Sequence, residues 1–283
     1  AIALSAALSG CSKAVVLNPA GDIAAQQGQM VITATLLMLI IIVPVIALTL
    51  WFAWKYRQNN TANTEDDYDP DWHHSTSLEL VIWTVPLLFV FMEFCYYWFH
   101  RASHRVRWFW CNHAVHHTPN QLCLAASLRI GAFGRLTGNV VFMLPLVWIG
   151  FDLRLVATAL TLNLLYQFWI HAAWIPKLGW LEWVLNTPSA HRVHHAANLE
   201  YLDANYGGVL VVFDRLFGTY RAERDDIAIR YGLVKPQQSY NPWTVETQEW
   251  RALFRDLWRA PSVRAWVGYL VMPPGWRPDG AGE

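Results

Sequence analysis

The chain has 283 residues, with Lys plus Arg (21) balanced by Asp plus Glu (21), so it lacks the basic excess that a nucleic-acid partner demands. Apolar and aromatic residues make up 54% of it, and the apolar runs are long enough to cross a bilayer, which places it among integral membrane proteins. Four cysteines show no C-x-x-C pattern and no disulfide framework.

In chain order, Ala1 to Gly10 is apolar and rich in small residues and ends in L-S-G-C. It reads as the tail of a truncated lipoprotein-type signal segment, with Cys11 the lipidation candidate; the alternative is an irregular N-terminus. Residues 1–29 form this first part. Met30 to Trp54 is an uncharged apolar run, expected to span the membrane and to kink at Pro44, with Trp51, Trp54, Lys55 and Arg57 as an interfacial anchor. Asn59 to Ser77 is a polar loop in which His73 and His74 read as ordinary loop residues. Leu78 to Phe99 is the second expected span.

L-S-G-C, L-N-P-A-G-D-I, F-A-W-K-Y-R, D-W-H-H-S and V-I-W-T-V-P resemble subunit II of bacterial haem–copper ubiquinol oxidases over residues 9–88. That resemblance implies a transmembrane hairpin at 30–88 and association with quinol oxidase subunits through it. It stops at Leu88. No run of short alternating strands follows, as the cupredoxin-like domain of that family would require.

From Phe89 the character changes. Five of eleven histidines (His100, His104, His113, His116, His117) lie in one short stretch, and His191, His194 and His195 repeat the H-x-x-H-H spacing. On a helix, positions i, i+3 and i+4 share a face, so each group presents its imidazoles together. Neutral imidazole is the commonest side-chain metal ligand, and eight are more than one ion needs. Cys95 and Cys123 read as packing residues, and Cys111, two before His113, is a minor ligand candidate. Glu93 and Tyr97 share a helix stripe with His100 and His104. Glu93 is expected to accept an imidazole N–H and fix its tautomer. Asp203 and Asn205, in Y-L-D-A-N-Y-G, are further supporting candidates, with turn chemistry as the alternative reading.

The run M-E-F-C-Y-Y-W-F-H-R-A-S-H-R-V-R-W-F-W-C-N-H-A-V-H-H-T, then Q-F-W-I-H, N-T-P-S-A-H-R-V-H-H and D-R-L-F-G-T-Y, resembles the fatty acid hydroxylase/sterol desaturase superfamily over residues 89–221. By that resemblance the eight clustered histidines are metal ligands. His171 is a candidate ninth, against the reading of a hydrogen-bonded core histidine. The resemblance implies two iron ions, with zinc an alternative occupant in purified material. It also implies O2 as co-substrate, a lipid, fatty acyl or sterol-like substrate, and a separate electron-donor protein. Imidazole alone does not name iron. The absence of H-E-x-x-H speaks against a zinc hydrolase. Hydroxylation and desaturation both remain open.

Two crossings, at about 140–150 and 154–174, are expected to return the chain to the face it left, closing one site from all three histidine groups. The fold expected is thus all-α and membrane-integral, with about four transmembrane helices and a dimetal site at one membrane face. Residues 222–283 follow, with an amphipathic helix at Asn241–Arg259 carrying Trp250, Leu253, Phe254, Leu257 and Trp258 on one stripe. It either lies on the membrane or covers the catalytic domain. Orientation is conflicted. A lipidated Cys11 followed by two crossings puts the histidines outside, whereas the hydroxylase resemblance and the basic residues after His100 place them at the cytoplasmic face of a bacterial inner membrane. Either the Cys11 reading is wrong, the crossing count is wrong, or the chain joins two unrelated sequences. The second functional reading keeps the chain as a non-catalytic quinol oxidase subunit with structural histidines.

Overall fold

A computed structural model describes residues 39, 43–56, 76–134 and 136–278. Cys11, His73 and His74 lie outside the described residues. Contacts divide the chain into one unit ending at Ser75 and a second at Thr76–Glu283. In the first unit α1 (Val43–Lys55) is a short apolar helix, its Lys55 ammonium 5.4 Å from the Trp51 ring centre.

The second unit is mainly helical, with isolated β-bridges at Leu185–Leu210 and Ala196–Tyr231. Its axis is α2 (Thr76–Arg105), a 30-residue helix that tolerates Pro86 and contains the apolar segment Leu80–Arg105. At 1.5 Å per residue that segment is long enough to cross a bilayer. Leu88, where the quinol-oxidase resemblance stops, lies inside α2. It is buried there with Met92, Cys95, Met143, Leu146 and Val156. The change of resemblance therefore falls within one continuous helix, in its packed core.

After α2, Val106 adopts an extended conformation, and α3 (Arg107–His117) begins. A four-residue turn of helix, α4 (Leu124–Ser127), follows. The crossing expected at about 140–150 does not form. The segment is a 3-10 turn (Asn139–Met143) continued by the five-residue α5 (Leu144–Trp148). Gly138 and Gly150, at φ 86° and 108°, bound it. Ten residues of helix rise only about 15 Å, half a bilayer core. The limb descends from Phe142, whose ring is 5.9 Å from Phe99, to the depth of Leu88.

From there α6 (Leu153–Ile170) returns alongside α2 in the same direction. Asp152 caps it, accepting from Arg154 N–H at 2.8 Å. Among the described residues, two helices, α2 and α6, are long and apolar enough to cross a membrane. α7 (Pro188–His194) starts on a Thr187 cap with Pro188 in its first turn. α8 (Val212–Leu216) follows a loop, and α9 (Pro242–Trp258) and α10 (Val263–Val271) close the unit.

α9 packs on α3, with Trp108 and Trp250 edge to face at 5.1 Å. Its buried face carries Thr247, Trp250 and Leu253, while Phe254 and Trp258 of the expected stripe are exposed. The buried ion pair Arg107–Asp256 (2.6 Å) ties α9 to the start of α3, and Arg192–Glu223 (2.6 Å) ties α7 to the loop beyond α8.

Candidate metal centre

Three helix ends and one helix carry the nine histidines to a common level. His100 and His104 are one turn apart at the end of α2. His113, His116 and His117 close α3, His171 caps α6, and His191, His194 and His195 form α7 and its cap. They sort into two groups. His100, His104, His113, His117 and His194 form one, and His116, His171, His191 and His195 the other; within each, the ligating nitrogens lie within 4.8 Å of one another. Two nitrogens on opposite sides of one ion at roughly 2.1 Å each are about 4.2 Å apart, so both groups are of ion-binding size.

Each H-x-x-H-H box is divided between the groups. Its first and last histidines, at i and i+4, stay together, while the middle one crosses to the other group. The two boxes therefore exchange one imidazole each, His116 and His194.

Nitrogen protonation follows from the backbone. A carbonyl oxygen accepts and never donates, so a ring nitrogen facing one carries the hydrogen. His100 Nδ1–H donates to Tyr206 O (2.9 Å), His194 Nδ1–H to Ala204 O (2.9 Å), His171 Nδ1–H to Gln167 O (2.7 Å) and His116 Nδ1–H to Arg129 O (3.3 Å). Their Nε2 atoms are left as lone pairs. Yet His116 Nε2 faces His171 Nε2 at 3.3 Å, with no hydrogen available to either. Two facing lone pairs repel; a cation between or beside them reverses the sign. Close Nε2 pairs also join His100 to His113 (3.0 Å), His113 to His117 (3.2 Å), and His191 to His171 (3.0 Å) and His195 (3.1 Å), each inside one group. His104 Nε2 and His194 Nε2 are buried without a hydrogen-bond partner. The donor set fits two metal ions and is poorly satisfied by hydrogen bonds alone.

Burial, reinforced by neighbouring imidazoles, keeps the histidines neutral. It pushes His116 down to about 3 and His171 to about 4, and holds His113, His117, His191, His194 and His195 well below the usual range. Neutral imidazole is the form that binds metal.

Glu93 is fully buried but touches no imidazole, contrary to its expected role. One oxygen accepts the Val209 and Leu210 N–H groups (2.9 and 2.8 Å), and the other accepts from Asn163 Nδ2. The reason is geometric: the loop 206–211 inserts beside α2 at this depth, and its bare N–H groups reach the carboxylate first. Irregular backbone at membrane depth requires such partners. Asn186 completes them, donating to Gly207 O (2.6 Å) and Gly208 O (3.2 Å). A Cβ on Gly208 would lie 2.4 Å from Asn163 Nδ2, so that glycine permits the approach of α6. Glu93 thus acts on the centre through Tyr206, whose carbonyl orients His100.

Tyr97 also stands behind the imidazoles rather than against them. Its hydroxyl meets Thr219 Oγ1 (3.1 Å) and its ring packs on Tyr206 and Phe217. Asp203 approaches His104 Nδ1 at 3.9 Å and accepts from Arg105 at 2.6 Å. Asn205 bonds backbone: its Nδ2 donates to Ala190 O (2.9 Å) and Arg221 O (2.8 Å), fastening α7 to the following loop. Asp203 and Asn205 hold φ of 59° and 56°, the left-handed conformation that Asp and Asn tolerate. Cys111 is buried beside Trp250 and Leu253, among apolar side chains.

Residues absent from the sequence reading complete the support. Tyr206 lies against His100, His104 and His194. Asp214 accepts from the Tyr206 and Gly207 N–H groups, both at 2.7 Å. Tyr96 OH donates to Gln167 Oε1 (2.9 Å), and Gln167 Nε2 to Asn163 Oδ1 (2.5 Å). Asn163 and Gln167, one turn apart on an otherwise apolar helix, were the readable signal.

Residues 85–219 match the fatty acid hydroxylase family. The chain is 38% identical to the alkylglycerol monooxygenases of Xenopus tropicalis and Homo sapiens, over 196 residues in each case. These alignments cover 69% of this chain and 43% of the relative, so the chain spans less than half the length of those proteins. The chain is also 48% identical over 83 residues to the cytochrome bo(3) ubiquinol oxidase subunit 2 of Pseudomonas aeruginosa, covering 29% of this chain and 24% of that one. No solved structure matches. All nine clustered histidines lie inside residues 85–219, the segment that matches the fatty acid hydroxylase family.

Proposed function

We propose that this chain is a membrane oxygenase in which the nine histidines hold two iron ions, five nitrogens to one and four to the other. The facing lone pairs of His116 and His171 support this most directly, because the pair is stable only with a cation at the site. The family match favours iron, and the two irons, when bound, would supply O2-dependent oxidation of a C–H bond.

The chain's own residues do the positioning. Four backbone carbonyls fix the tautomers of His100, His116, His171 and His194, so each imidazole meets its ion already oriented. Burial keeps water from the imidazoles, and the α2–α6 pair sets both groups at the end of the apolar segment, where a lipid chain can reach. The substrate proposed first is an alkylglycerol-type lipid, from the names of the relatives, with hydroxylation the outcome. Electrons come from a separate donor protein. Residues 1–29, 30–88, 89–221 and 222–283 are proposed as the organisational segments, and the histidine level as the cytoplasmic face of the membrane.

Metal analysis of the purified full chain tests the reading. Two irons per chain, both lost in a His116→Ala, His194→Ala double variant, support it. A metal-free chain that co-purifies with haem subunits would sink it, and would favour a quinol oxidase subunit instead. Lipid mass spectrometry of expressing cells then seeks a gain of one oxygen.

A further inference from the structure

The helix α10 is apolar on both sides. Its inner face, Ala265, Gly268 and Tyr269, is buried against α9 and α3. Its outer face is a second stripe: Val263 (80% exposed), Trp266 (45%), Val267 (45%) and Val271 (51%), and Trp258 (92%) at the end of α9 stands next to it in the chain. The spacing i, i+3, i+4, i+8 is that of one helix face. A helix apolar all round is normally buried on all sides, and α10, at nine residues and about 14 Å, is too short to cross a bilayer.

Its position says what covers it. The Met272 carbonyl, immediately after α10, accepts the Arg107 N–H at 3.2 Å. Arg107 follows the end of α2 by two residues, and its guanidinium lies 5.7 Å from the Tyr269 ring centre. The C-terminal end of α10 is therefore pinned where the apolar segment of α2 ends. Arg255, Arg259 and Arg264 are exposed around its other end. Of the nearby acids, Asp256 pairs with Arg107 and Arg277 and stands 4.0 Å from Arg255, and Glu246 accepts the Ala132 N–H, so Arg259 and Arg264 are the arginines the inference uses. A short helix with an apolar outer face, exposed tryptophans and flanking arginines has the chemistry of a helix lying in a membrane interface.

We infer that the outer face of α10, with Trp258, lies in the headgroup–acyl boundary of a bilayer containing anionic lipid. This rests on the reading of α2 as a membrane span, and the test separates the two. Nitroxide labels are placed singly at Val263→Cys, Val267→Cys and Val271→Cys in a Cys11→Ser, Cys123→Ser background of the full chain. Reference labels sit at Val90 on α2 and at Gln238 in an exposed loop. In nanodiscs of phosphatidylcholine and phosphatidylglycerol, the oxygen-to-nickel-chelate accessibility ratio is measured at each position. The expected result is a ratio at all three α10 positions several-fold above Gln238 and approaching Val90. Replacing phosphatidylglycerol by phosphatidylcholine, or Arg259 and Arg264 by Gln, should lower it. Water-like ratios on α10 with a lipid-like Val90 overturn the inference alone. Labels immobilised and reached by neither reagent overturn it in favour of a protein partner. A water-like Val90 overturns the spanning reading, and the inference with it.

Discussion

The two nitrogen groups are made from the same kind of box, yet they differ by one ligand. In the five-nitrogen group, α2 continues past His100 for one more turn and supplies His104. In the four-nitrogen group, α6 ends at Ile170, so His171 is its cap and no turn follows to carry a second imidazole. Helix length, not box sequence, sets the difference. On the proposed two-ion reading, the four-nitrogen group is the one with room for a further ligand, as catalytic metal sites require.

The largest expected effect separates the groups directly. His195→Ala leaves three nitrogens in one group, and His117→Ala leaves four in the other. Iron per chain should fall from two to about one in the former with activity lost. The His117 variant should retain more iron than the His195 variant. Equal iron loss in both would show that the ions bind as one unit and would break the comparison.

Glu93→Leu comes next. It orphans the Val209 and Leu210 N–H groups and Asn163 Nδ2, at roughly 1–3 kcal/mol for each unsatisfied buried group. A stability loss of about 3 kcal/mol is expected in denaturant unfolding, with Glu93→Gln milder. Because Glu93 bonds both α6, which carries His171, and the loop orienting His100, both groups should lose iron together. Loss confined to one group would show that the carboxylate serves that side alone.

Lower pH offers a graded test. The histidines outside the spanning helices have folded values depressed below the ordinary 6.5. Below about pH 6.5 the unfolded chain takes up protons that the folded site refuses, so stability and metal retention hold above that pH and fall below it. Iron retained after desalting, measured from pH 8 to pH 4, checks this. The smallest effect is expected from Asp203→Asn, whose contact with His104 is long at 3.9 Å. About a tenfold weakening of iron binding in the five-nitrogen group, at the low end for such supporting residues, should appear in competition with a chelator.

The ligand clusters were legible in the sequence because i, i+3, i+4 spacing survives any tertiary arrangement. His171 could be singled out because an ionisable residue at the end of an apolar run is costly. The partition into five and four was not legible, since it depends on how α3 and α7 face each other. Glu93 was recognised as important, but its partner was missed: the loop that reaches it lies more than a hundred positions downstream. The short limb at 139–148 read as a crossing because apolar composition does not report length once Gly138 and Gly150 cut the helix. The outer stripe of α10 was not read from the sequence, because a nine-residue helix offers little more than two turns of periodicity.

The exchange of His116 and His194 between the boxes also fixes an order of events during synthesis. Neither nitrogen group is complete until α7 has been made and has docked, because one group waits for His194 and the other for His191 and His195. The five histidines of α2 and α3 emerge early from the ribosome, but they include only four of the first group's ligands and one of the second's. On the two-ion reading metal loading is therefore a late step, and a chain that stops translation before residue 194 leaves neither nitrogen group complete.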